Sequence, residues 1–177
     1  NLIHGYPMSC VSLALSVKRT VTAAVIYNPY TEEVFTARKG KGAFLNGKPV
    51  HVSRTEKLAS GIVDFGTAPY YHEHADWNFQ KTKEIFLRCQ DIRRMGSAAL
   101  AMAYVACGRC DGSYELYLKP WDYAAGLLMV QEAGGVVTDF SGQFPDPTRP
   151  SAVLATNGRI HEELRAYLQD FAGAKQV

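Results

Sequence analysis

The sequence predicts a layered α/β fold of the α+β kind, on three observations. Residues 11–50 hold short apolar, β-branched runs broken by turn residues, whereas from residue 61 onward strand-like and helix-like runs alternate. The third is that 177 residues at 47% hydrophobic are enough to bury a substantial core. Two portions are expected: 1–59, an antiparallel sheet, and 60–177, an alternating α/β portion. The rhythm changes near Lys57 to Gly61, with no flexible linker between the halves.

Taken in order, Val11 to Leu15 and Val21 to Tyr27 read as strands, and Asn28-Pro29-Tyr30 ends the second. Glu33 to Ala37 forms the next. Asn46-Gly47 is a hairpin signal, because both residues tolerate the positive φ that a tight turn of matching twist requires. Beyond the meander, Gly61 to Phe65 suggests a strand, Ala75 to Arg88 a helix and Asp91 to Arg93 a strand. Ser97 to Cys107 is a helix of small residues. Tyr114 to Leu118 returns to strand and Trp121 to Ala133 to helix, with Gly134-Gly135 as the stop. Val136 to Asp139 and Ala152 to Ala155 read as strands, and Ile160 to Leu168 as a final helix. Phe144 to Pro150 reads as a surface loop, since its prolines oppose a central element.

Composition excludes several function classes. Net charge is +2, from 19 basic and 17 acidic residues spread along the chain, so no basic stripe supports nucleic-acid binding. Arg93-Arg94 and Lys39 with Lys41 are short clusters of solvated loop charge. No apolar run approaches the roughly 20 residues that span a bilayer. Cys10, Cys89, Cys107 and Cys110 form no secreted disulfide framework, so a cytoplasmic protein is expected. Cys107-Gly108-Arg109-Cys110 has the spacing of a zinc or redox pair but lacks a second half, and a helix end with Gly108 in the turn explains it. His72-Glu73-His74 reads as a solvated turn, and Trp77 and Phe79 as core aromatics.

Trp121-Asp122-Tyr123-Ala124-Ala125-Gly126, followed by Glu132-Ala133-Gly134-Gly135, puts one carboxylate at the start of a helix. Locally, a first-turn acid is favoured by the free amides and the helix dipole alone. Gly96-Ser97-Ala98 sits at another helix start, where Ser97 suits an N-cap and the exposed amides suit an oxyanion or hydroxyl. Glu115 falls on a strand, where a glutamate ordinarily takes the wet face. It stands close enough before Asp122 for strand, turn and helix to bring both carboxylates to one cleft.

The Trp121 to Gly135 pattern resembles the second signature of the inositol monophosphatase family, bacterial type. The match extends over nearly the whole chain: Thr36 to Pro49 with Ser53 is similar to the family's hairpin region, Arg94 to Ala99 to its substrate loop, and Tyr114-Glu115 keeps the family's spacing to Asp122. Asn1 to Pro7 is similar to the segment that follows the family's first signature, Asp-Pro-Ile-Asp-Gly-Thr, which is absent here, as is the earlier glutamate-bearing segment. The resemblance implies an αβαβα sandwich of the sugar-phosphatase type, here without its N-terminal helices and first metal-binding segments. It also implies Mg2+ as cofactor, Asp122 as a metal ligand, a small phosphorylated polyol as substrate, and a homodimer. Gly96, Ser97, Ala98, Glu115 and Asp122 are the implied substrate-binding residues. No catalytic base or nucleophile is identifiable. Since magnesium needs carboxylates from three places, the 177 residues alone are expected to be inactive. Alternatives are a fructose-bisphosphatase, a 3′-phosphonucleotide phosphatase, and a noncatalytic interaction domain.

Overall fold

A computed structural model describes residues 1–171 and contains two five-stranded sheets. The first is an antiparallel meander in chain order: β1 (Val11–Val17), β2 (Thr20–Asn28), β3 (Glu33–Arg38), β4 (Ala43–Leu45) and β5 (Lys48–Val50). Its turns follow from backbone chemistry. Asn46 and Gly47 both take positive φ, 48° and 77°, as the two-residue hairpin between β4 and β5 requires. Asn46 also accepts a hydrogen bond from the Val34 amide at 2.8 Å, tying that turn to β3. Alternation along β2 turns Ala24 and Ile26 inward, and Ile26 pairs with Phe35, both fully buried.

The second sheet is mixed. β6 (Ile62–Phe65) runs parallel to both β7 (Asp91–Arg93) and β8 (Gly112–Leu118), whereas β10 (Ser151–Thr156) pairs antiparallel with β8 and β9 (Val136–Thr138). Between the sheets lie α2 (Ala98–Ala106) and α3 (Pro120–Glu132), apolar on nearly every side because each is covered on both. Their backbones approach closely at Gly126, where a methyl group would stand 2.5 Å from Met102 Sδ. Gly134, at φ 89°, ends α3 as the glycine stop predicted. α1 (Ala75–Phe86) and α4 (His161–Arg165) cover the far side of the second sheet, over a core that includes Val63, Ile85, Tyr114, Leu154 and Leu164. The order is therefore sheet, helices, sheet, helices, four successive layers of an αβαβα sandwich. The outward face of the first sheet is open: Leu13 and Leu15 are 61% and 59% exposed.

Several local expectations are corrected. Phe79 is not core: it is 55% exposed, because α1 turns Asn78, Thr82 and Ile85 inward, with Thr82 Oγ1 2.7 Å from Tyr114 Oη. His72-Glu73-His74 is a short 3-10 helix leading into α1, and His74 packs on Tyr117 with Nε2 3.0 Å from its hydroxyl. The final helix ends at Arg165 and continues as turns. Phe144 to Pro150 has no regular structure, but Pro145 and Pro147 are buried and Tyr123 Oη donates to the Asp146 and Arg149 carbonyls, so the loop is docked onto α3.

Candidate functional site

A cavity of about 1040 Å³ opens where the end of β8, the start of α3 and the loop before α2 converge. Gly96, Ser97, Ala98, Glu115 and Asp122 all lie on its wall.

Asp122 arrives there as the third residue of α3. Pro120 occupies the first turn, where its missing N–H costs nothing, and Asp122 Oδ2 accepts the Lys119 amide at 3.0 Å. The capping role is therefore real, and it fixes the carboxylate at the cavity wall. Trp121 beside it is 70% exposed.

Glu115 projects from β8 into the same space, so the strand, turn and helix start bring its carboxylate and that of Asp122 to one cavity. Its side chain lies over Gly66, just beyond β6, where a methyl group would overlap the carboxyl. Gly66 N–H donates to the Tyr114 carbonyl at 2.9 Å, locking that apposition. Burial pushes the Glu115 carboxyl up to about 7; the Asp64 and Asp122 charges push the same way, while Arg94 and the Ala68 amide oppose them.

The loop before α2 is held from three directions. Met95 N–H donates to Asp64 Oδ2 at 2.9 Å, Arg94 Nη2 donates to Thr67 Oγ1 at 2.8 Å, and Asn1 Nδ2 donates to the Gly96 carbonyl at 2.8 Å. Gly96 takes φ 82°, which the tight reversal into α2 needs. Ser97 occupies the N-cap position, but its hydroxyl makes no capping bond; it lies 3.7 Å from Cys10 Sγ on the cavity side. Burial raises the Cys10 thiol, and the charge of Asp122 adds to the effect. On the opposite wall Tyr71 and Tyr117 pack with ring centroids 4.4 Å apart, and Tyr117 is held at φ 52°.

Sequence reasoning passed over Asp64, Gly66 and Cys10. A signal for Asp64 was present: a lone carboxylate inside the apolar run Gly61 to Phe65 has no wet face to occupy. It is 4% exposed, and burial pushes it up to about 6.

Asp122 suits a hard cation as a carboxylate on a polar cavity wall, but one side chain does not make a site. Among the described residues no group of three His, Cys, Asp or Glu side chains could hold a metal ion. A magnesium ion held by Asp122 would need further oxygen ligands from outside the described residues. Cys107 and Cys110 flank the turn at Gly108, φ 75°, and burial pushes Cys110 up to about 12, which suits an inert thiol rather than a metal ligand.

Comparison with known proteins agrees with the fold. The chain is 41% identical over 164 residues to the inositol-1-monophosphatase of a Synechocystis strain, covering 93% of this chain and 57% of that protein. It is 39% identical over 170 residues to Nus factor SuhB of Escherichia coli K12, covering 96% of this chain and 63% of that protein. The chain therefore spans somewhat over half the length of these relatives. Among solved structures, the inositol monophosphatase of an Anabaena (Nostoc) strain superposes with a TM-score of 0.88 at 38% identity, over 95% of this chain and 66% of that one. The pattern that describes the inositol monophosphatase family matches residues 1–172, and the chain belongs to that family.

Proposed function

We propose that the complete protein is a magnesium-dependent phosphomonoesterase that hydrolyses inositol monophosphate or a similar small sugar phosphate. One observation carries the reading: Asp122, Glu115 and the Gly96 to Ala98 loop, which come from three different elements, line one cavity large enough for a phosphorylated polyol. Magnesium, when bound, supplies Lewis-acid stabilisation of the phosphate and an acidified water. Asp122 contributes one carboxylate oxygen to holding it. Glu115 accepts hydrogen bonds from ring hydroxyls, and the Gly96-Ser97-Ala98 segment offers amides and a hydroxyl to the polyol at the start of α2. The same wall orients the ester and excludes water from one side of it.

Fructose bisphosphate and a 3′-phosphonucleotide are the competing substrates. Phosphate release by the full-length protein on these and on inositol monophosphate, across a magnesium titration, tests the choice. Preference for the monophosphorylated polyol is expected; turnover confined to the nucleotide or bisphosphate would replace the substrate, and none on any would replace the enzyme by an interaction protein. The apolar outer face of β1 and the relatives named Nus factor SuhB favour that second reading. A reducing cytoplasm suits four cysteines that form no disulfide. The homodimer that family membership suggests is tested by light scattering on the full-length protein.

A further inference from the structure

Asp64 lies outside the cavity wall. It stands on β6, between β7 and β8 in the second sheet, and opposite Arg93 and Ser113 in the two registers. A carboxylate in the middle of a covered sheet is costly unless it is used. Here its Oδ2 accepts the Met95 amide, the residue immediately before Gly96, at 2.9 Å. Gly96 at φ 82° leaves the loop without a regular ladder to hold it. The other side-chain ties are an exposed arginine to Thr67, an exposed Asn1 side chain, and the Ser97 hydroxyl contact with Cys10 Sγ, none of which reaches a strand of the sheet. The Asp64 bond is thus the tie of that loop to a buried residue of the sheet.

We propose that Asp64 is a positioning residue for substrate binding: from beneath the cavity it fixes the backbone of the Arg94 to Ser97 loop through the Met95 amide, so that Gly96 and Ser97 are presented to the polyol in one geometry. The assignment rests on the cavity being the substrate site. The titratable and charged groups near Asp64 are Arg94 on the loop itself, Tyr114 and Glu115 on β8, and Cys110 on the segment leading into β8. Its carboxyl, raised by burial, accepts a hydrogen bond in either charge state, so the tie to Met95 does not depend on ionisation.

The test uses the full-length protein with Asp64→Ala and Asp64→Asn, the second keeping an oxygen acceptor at the same place. Two readouts are taken: hydrogen exchange of the Met95 amide without ligand, and steady-state kinetics on inositol monophosphate at saturating magnesium. In Asp64→Ala, exchange at Met95 is expected to accelerate about tenfold and KM to rise about tenfold while kcat stays within about twofold, the loss of one hydrogen bond. Asp64→Asn should recover most of both. Unchanged exchange in the alanine variant overturns the proposal, as does an asparagine variant no better than alanine with kcat and thermal stability falling together. Faster exchange with KM unaltered also overturns it, leaving the phosphatase reading intact. Absence of turnover by the unsubstituted protein overturns that reading and this one with it.

Discussion

Replacing Glu115 with Gln converts the electrostatics of the cavity wall into a stability measurement. Its carboxyl is raised from 4.5 to about 7, chiefly by burial. Folding therefore favours the protonated form: the stabilisation is fully present below pH 4.5 and is lost as pH rises through about 7. At about 1.4 kcal/mol per unit, the ionised side chain costs the native state up to roughly 3 kcal/mol above neutrality. Gln keeps the shape and removes the charge. In the metal-free full-length protein, Glu115→Gln should thus be more stable than the unsubstituted protein at pH 8 by up to about 3 kcal/mol, a rise in Tm of roughly 6–12 °C, with the difference shrinking toward pH 5. The assay is thermal unfolding by circular dichroism at half-unit pH steps in the presence of a chelator. Asp64, raised to about 6, imposes its own slope at lower pH, where Glu115 is largely protonated and the two proteins carry nearly the same charge. Parallel pH curves for the two proteins would refute the claim that Glu115 is held in a desolvated, anion-disfavouring place. On the functional side, Glu115→Gln should alter the ratio of rates among polyol phosphates more than it alters magnesium dependence.

Other substitutions test neighbouring parts of the account. Gly66→Ala should displace the Glu115 carboxyl and raise KM for polyol phosphates severalfold, yet cost less than about 1 kcal/mol, because the group that must move is the end of a flexible side chain; urea unfolding and kinetics on one preparation check both. Gly126→Ala puts a methyl group 2.5 Å from Met102 Sδ and 2.7 Å from Met102 Cβ, and should destabilise by about 1–3 kcal/mol in urea. His161, 3% exposed between the Thr138 and Thr156 hydroxyls, is held below 6.5, so its contribution is present above that pH and is lost as pH falls; ring titration followed by NMR should give a midpoint below 6.5. Residues 1–177 expressed alone should release no phosphate from any of the three substrates, since one carboxylate does not assemble the metal site.

Local chemistry made most of the scaffold legible. Asn46-Gly47, the glycine stop after α3, and the apolar, β-branched run Val21 to Tyr27 each act within a few residues, and each holds in the structure. The carboxylate at the start of α3 was legible for the same reason. What failed depended on distant partners. Glu115 reached the expected cleft, but nothing near it in sequence reveals that Gly66, just beyond β6, opens the space its carboxyl fills. Phe79 looked like core because its side chain is apolar, whereas the partner of α1 is the Tyr114 hydroxyl, which selects Thr82 and turns Phe79 outward. Ser97 pairs its hydroxyl with Cys10, brought to it by the chain preceding β1, instead of capping α2.

The most direct test of the central claim, that Asp122 is a ligand to catalytic magnesium on the wall of a polyol phosphate site, is the magnesium dependence of phosphate release from inositol monophosphate by full-length protein and its Asp122→Asn variant. The variant loses a charged oxygen while keeping its volume, and its remaining oxygen can still accept the Lys119 amide, so the helix start survives. The expected result is a folded variant that needs at least about tenfold more magnesium for half-maximal activity. Identical magnesium curves for the two proteins, or turnover undiminished by a chelator, would contradict it.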